Sequence, residues 1–197
     1  AKEVIKNNLK LEINDVFNLN MDSSNDRNYA DGIAFKVSNI TENSIFLEND
    51  LYGIIPGDEI LLYFVQAELD TSDVGNHDFF QIVRSNQKEV VVNGDIEISK
   101  YDSGENKKII LQRIPIYDNL TIHQSGILSA SNWNGLETSL NAKSAHGTGI
   151  VALKVNNILN IYEGDSGSIF SSLINKYNIQ RVYSNSEIGS KSIRDRD

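Results

Sequence analysis

An all-β fold, with a sandwich- or barrel-like region, is what this sequence predicts, and three observations predict it. Short runs rich in Ile, Val, Phe and Tyr recur along the whole chain, and clusters of Asn, Asp, Ser and Gly separate them. No stretch shows the 3.6-residue apolar spacing of an amphipathic helix. With 197 residues the chain is long enough for one large domain or two small ones, each able to bury a core without staples.

In chain order the expected strands are Leu9 to Ile13, Ile33 to Ser38, Ser44 to Leu47, Glu59 to Gln66, Phe79 to Arg84 and Glu89 to Val92. They continue with Lys108 to Ile114, Asn119 to His123, Ile150 to Val155, Ile158 to Tyr162, Ser168 to Leu173 and Ile179 to Tyr183. Each is an apolar, β-branched or aromatic run closed off by turn formers. Pro56-Gly57-Asp58, Asn93-Gly94 and Asn156-Asn157 supply the conformations that tight turns need, so hairpins are expected there. The nearly continuous apolar run in "LYGIIPGDEILLYFVQ" predicts a core strand buried on both faces. Long polar loops fall at 18–32, 67–78 and 131–147, and loops of that length are often functional. The last residues, from 188 to 197, lack apolar periodicity and read as an exposed tail.

A net charge of −9 and a pI near 4.8 oppose binding to nucleic acid, and no basic cluster interrupts the acidic background. No apolar run approaches the ~20 residues of a membrane-spanning helix. Absence of cysteine excludes disulfides and thiolate metal sites, and it suits a surface-exposed or virion protein as well as a cytosolic one. The first residue is Ala, which reads as a processed chain with no signal peptide left to interpret.

Four segments in order resemble a module of large bacterial surface proteins that is also met in phage and viral structural proteins. They are "PGDEILLYFVQ"; "VGNHDFFQIV" with "VVVNGDI"; "LQRIPIYDNLTI"; and "WNG" with "GTGIVALKVNNILNI". The resemblance runs from about residue 55 to residue 161, and beyond it "YEGDSGSIF" replaces the glycine-rich stretch of such modules. It implies that the barrel-like region leads into stacked, β-helix-like strands. The resulting division is an N-terminal β region over 1–53, a surface-type module over 54–187 and the tail over 188–197. It also implies a structural or adhesive β-domain of a cell surface or virion. Such a domain acts within an assembly, its partners being neighbouring subunits or a surface receptor. No cofactor is expected, and enzyme activity is not the favoured reading.

The alternative is a chymotrypsin-like serine protease. Gly164-Asp165-Ser166-Gly167 matches the nucleophile turn of those enzymes, and His77, Asp102 and Ser166 follow one another in the required order. Against this triad, His77 lies in an acidic polar loop and Asp102 in a polar segment that reads as a solvated turn, "KYDSGENKK". "AHGTGIVAL" around His146 resembles the histidine segment of subtilisin-like proteases, whose chain order does not fit Ser166. A Gly-Asp-Ser turn between strands is the plainer account of the motif.

Two acidic loops, with Asp22, Asp26 and Asp31 in one and Glu68, Asp70, Asp73 and Asp78 in the other, carry hard oxygen ligands of the kind Ca²⁺ takes. Neither has EF-hand spacing, and both read first as solvated loops. The histidines at 77, 123 and 146 are too scattered to form a sequence-local metal site. A carbohydrate-binding or carbohydrate-cleaving domain is the third class. Trp133, Tyr101, Tyr117 and Tyr162 are candidate sugar-stacking rings, with Trp133 read first as a packing residue.

Overall fold

The computed structural model describes residues 9–24, 27–135 and 147–161, and they build a β-protein with no α-helix. Two short strands come first, β1 (Lys10–Ile13) and β2 (Val16–Asn18). Six follow as one group: β3 (Ala34–Ile40), β4 (Ser44–Leu47), β5 (Glu59–Glu68), β6 (His77–Ser85), β7 (Glu89–Val92) and β8 (Glu105–Ile114). The chain then forms β9 (Ile116–Ile122), β10 (Ile127–Ser129) and β11 (Lys154–Ile161). A single 3₁₀ turn, Ile98–Tyr101, precedes β8.

The middle six strands close into an antiparallel barrel in the order β3-β4-β7-β6-β5-β8. Closure removes the unpaired strand edges that would otherwise recruit other chains. Its interior is filled by Phe35, Ile45, Ile60, Leu62, Phe64, Ile82, Val90 and Leu111, all 2 % exposed or less. Successive strand residues face opposite sides, so Leu61, Ile110, Gln112 and Ile114 point outward, yet they too are buried. The cover at Gln112 includes the segment before β11, where its amide Nε2 donates to the Ile150 carbonyl at 3.3 Å. This confirms burial on both faces for the first half of β5 and extends it to β8.

The remaining strands form a parallel stack. β1, β9 and β11 pair side by side in that order, placing Leu11, Leu120 and Leu159 in one column and Ile13, Ile122 and Ile161 in the next. β2 pairs with β10 the same way, with Phe17 beside Leu128. Leu11, Ile13, Tyr117 and Leu120 form the buried centre of this second core. Each rung covers the apolar row of the one beneath it, as in solenoid folds. The corners stack as well: a Cβ on Gly126 would lie 2.2 Å from the Ile13 carbonyl oxygen, so only glycine fits there.

The barrel is therefore an excursion between the first and second rungs. The chain leaves the stack after β2, completes the barrel, and re-enters through Pro115, which has no N–H to continue β8. The barrel draws strands from both sides of residue 53.

Several expectations need correction. Asn156-Asn157 does not make a hairpin: it lies inside β11 at an irregularity between Val155 and Ile158, so the two strands expected there are one. Pro56-Gly57 and Asn93-Gly94 turn the chain, but neither joins a pair of adjacent strands. The hairpin turns lie at 41–43, 69–76 and 86–88. β2 and β10, only three residues each, were not anticipated. The strands expected at 168–173 and 179–183 lie outside the described residues.

Candidate functional site

Two places concentrate chemistry. The first is the joint between barrel and stack. Asp31 is fully buried, and its carboxylate accepts hydrogen bonds from the Tyr117 hydroxyl at 2.5 Å and from the Ser24 hydroxyl and backbone N–H. Its backbone carbonyl accepts from Arg113 Nη1 at 3.0 Å. Arg113 Nε lies 3.4 Å from Asp58 Oδ2, which also receives Arg27 Nη1 at 2.7 Å. Beside this chain the buried Asn20 donates to the Gly32 carbonyl and accepts from the Ser131 N–H and the Thr148 hydroxyl.

Such a network stabilises only while its members stay satisfied, because a buried polar atom that loses its partner costs about 1–3 kcal/mol. Here it links the C-terminal end of β8 (Arg113), the N-terminal end of β9 (Tyr117) and the loop that leads into the barrel. Burial first, and then the neighbouring Asp31, push the Tyr117 hydroxyl above the ordinary tyrosine range. Its centre (Asp31, Tyr117, Arg113 and Asn20) is buried while Ser24 and Arg27 at its ends are part-exposed, and the arrangement suits a lock between two cores.

The second place is the outer face of β5 and β6. In β6 the residues Phe80 and Ile82 turn toward the barrel core, so His77, Phe79, Gln81 and Val83 face out. The Tyr63 and His77 rings lie 6.2 Å apart, and His77 meets Phe79 edge to face at 6.0 Å. Phe79 is 61 % exposed and Val83 58 %. Phe79 also lines a groove of about 590 Å³ with Ile114 and residues 151–154. At its rim Lys154 pairs with Glu59, which stands opposite Gln81 in the ladder. An exposed apolar band beside fixed charges and amides can hold a partner that is apolar on one side and polar at its edges.

The sequence-predicted residues that are described each make local contacts of their own, and the segments around His77 and Asp102 adjoin, with Asn76 donating to the Lys100 carbonyl and Tyr101 to Asp78. His77 opens β6, and its ring nitrogen Nδ1 lies 3.1 Å from the Gly75 carbonyl. Asp102 is exposed and pairs with Lys107 at 2.7 Å, which holds its carboxyl below the usual carboxylate range. Ser166, His146 and Tyr162 lie outside the described residues. Asp22 accepts from the Asn18 N–H and Asp31 is tied to Tyr117, while Asp26 lies outside the described residues.

In the other acidic loop Asp70 accepts from Ser72, Asp73 from Ser103, Glu68 from Asn106, and Asp78 from Lys100 and Tyr101. Among the described residues no three His, Asp or Glu side chains are grouped to hold a metal ion. Tyr101 and Tyr117 are 3 % and 1 % exposed, so the expectation that they stack on a sugar is corrected: both are core residues whose hydroxyls serve a carboxylate. Trp133 is half-buried. The exposed ring of Phe79 was not singled out from sequence. Its signal was the adjacent pair Phe79-Phe80, since neighbouring residues in a strand cannot both face the core.

No family model and no curated protein matches the chain. Solved structures similar to it include the tailspike protein gp49 from Pseudomonas phage LKA1, 9% identical with a TM-score of 0.32 over 51% of this chain and 21% of that one. The Gp54 tailspike of Acinetobacter baumannii bacteriophage AP22, in complex with A. baumannii capsular saccharide, is 15% identical with a TM-score of 0.28 over 68% of this chain and 24% of that one. The matched regions span about a fifth to a quarter of those tailspikes.

Proposed function

We propose that this chain is a structural and adhesive β-domain that works within an assembly on a virion or cell surface, with the stack as its mount and the outer face of β5 and β6 as its contact surface. The observation that carries this reading is the exposed band of Phe79 and Val83 on a chain of net charge −9. Isolated exposed apolar residues need no explanation, but Phe79 meets His77 edge to face and lines a groove with Ile114 and residues 151–154, and an exposed ring at the side of an apolar groove suits a contact surface.

A more specific reading is a saccharide receptor, and the groove favours it. A sugar ring has an apolar face for Phe79 and hydroxyl groups for Lys154, Glu59 and Gln81. The test is to immobilise the chain and flow over it, in turn, the chain itself and a panel of bacterial surface polysaccharides. Binding of the chain to itself, lost in a Phe79→Asp, Val83→Asp variant that melts like the parent, is the expected result, and polysaccharide binding lost in the same variant supports the saccharide reading. No binding to any analyte at high micromolar concentration, or binding that the variant retains, overturns the assignment of this face.

A further inference from the structure

We propose that the pocket between β3, β8 and the 3₁₀ turn Ile98–Tyr101 is a binding site for a small organic ammonium ion that carries a single ring. The site is independent of the surface role and shares no lining residue with the groove at Phe79.

The pocket follows from how the barrel wall is laced. Ala34, Phe35 and Lys36 of β3 pair with Gln112, Leu111 and Ile110 of β8, and past these pairs the two strands separate. β3 runs on to Ile40 through an irregularity between Val37 and Asn39, and bulges of this kind re-aim side chains at barrel rims. The 3₁₀ turn lies against the gap, and a pocket of about 160 Å³ remains between the three segments. Its floor is apolar: Val37, Tyr101 and Ile109 are each 7 % exposed or less, and the exposed Ile98 lines its side. Asp102 and Lys107 stand at its rim.

Hydrogen bonds hold the pocket open. The Tyr101 hydroxyl donates to Asp78 Oδ2 at 2.9 Å, Lys100 Nζ to Asp78 Oδ1 at 3.2 Å, and the Asn76 side-chain amide to the Lys100 carbonyl at 2.9 Å. They tie the turn to the start of β6, so this wall is in place before anything binds, and preorganisation lowers the cost of binding.

Size and charge together name the ligand class. An apolar cavity of about 150 Å³ takes up benzene, so the volume here suits one ring. Asp102 Oδ1 accepts from Lys107 at 2.7 Å, but a carboxylate has lone pairs for further donors. The Asp102 side chain is also 75 % exposed against 33 % for Lys107. An ammonium group is therefore better placed at this rim than a carboxylate, and the net charge of −9 adds to the preference.

Benzylamine, protonated at neutral pH, is the probe, with benzyl alcohol and phenylacetate as its neutral and anionic counterparts. Titrated into the isotope-labelled chain and followed by amide NMR shifts, benzylamine should bind with a Kd of about 1–10 mM. It should move the amides of residues 37–40, 98 and 107–109. Benzyl alcohol should bind about three- to fivefold more weakly, and phenylacetate more weakly still. Asp102→Asn should reduce benzylamine to the level of the alcohol, whereas Lys107→Gln, which frees the carboxylate, should tighten it. Neither side chain is buried, so both variants should fold, and thermal melts check this. The proposal is overturned by no shift at these amides, by shifts centred instead on Phe79 and residues 151–154, or by phenylacetate binding as well as benzylamine. Benzylamine binding indifferent to both substitutions would overturn it equally.

Discussion

The Tyr117 hydroxyl is a single atom on which two cores meet. It belongs to the stack, yet its acceptor, Asp31, lies 86 residues earlier in the loop that leads into the barrel. Tyr117→Phe keeps the ring and removes the donor, leaving a buried carboxylate one bond short, so we expect a loss of about 1–3 kcal/mol in denaturant melts. The same tyrosine sets an alkaline limit. Tyr117 and Tyr101 both have hydroxyls raised above the ordinary value near 10, chiefly by burial. The unfolded chain therefore releases those protons first, and above about pH 10 it binds fewer than the folded chain. Stability is unaffected by these groups below that pH and falls as pH rises through it. Melts between pH 8 and 12 should show the fall, with a shallower slope for each Tyr→Phe variant after its own offset is removed. An unchanged slope in both would remove these tyrosines from the account.

At the scale of elements, the stack depends on its columns and the barrel on its closure. Leu120 sits in the middle column position between Leu11 and Leu159 and is 1 % exposed. Leu120→Ala should cost about 2–5 kcal/mol, while Val16→Ala on the outer face should stay within about 0.5 kcal/mol. Equal effects in thermal melts would mean that the inner column is not the core of the stack. The strands most legible in the sequence were β4 and β7, found at their expected bounds because polar clusters flank short apolar runs. β2 and β10 were not legible: three residues carry no period, and their pairing joins positions 111 residues apart. Asn156-Asn157 misled because the residue pair that favours a turn also tolerates a strand irregularity.

For the whole molecule, an all-β architecture with a barrel-like part and a stacked part followed from strand pattern and resemblance, but the nesting of one inside the other did not. Nesting is set by which distant strands share a ladder, and β1 with β9 has no local signature. The candidate site shows the same division. The ring of His77, singled out as a candidate base, lies beside those of Tyr63 and Phe79, and the carboxylate of Asp31, singled out as a candidate ion ligand, accepts from Tyr117 at the joint. Both were noticed for their chemistry, and tertiary packing decided what each one faces.

An assembly built through the barrel face should be visible in the molar mass, so light scattering after size exclusion at micromolar concentration tests the central claim most directly. The chain has a mass of 22.0 kDa. The account predicts a mass well above this for the parent chain and a return to the monomer for the Phe79→Asp, Val83→Asp variant. A parent chain that stays at 22.0 kDa across the concentration range, or an oligomer indifferent to both substitutions, would contradict it.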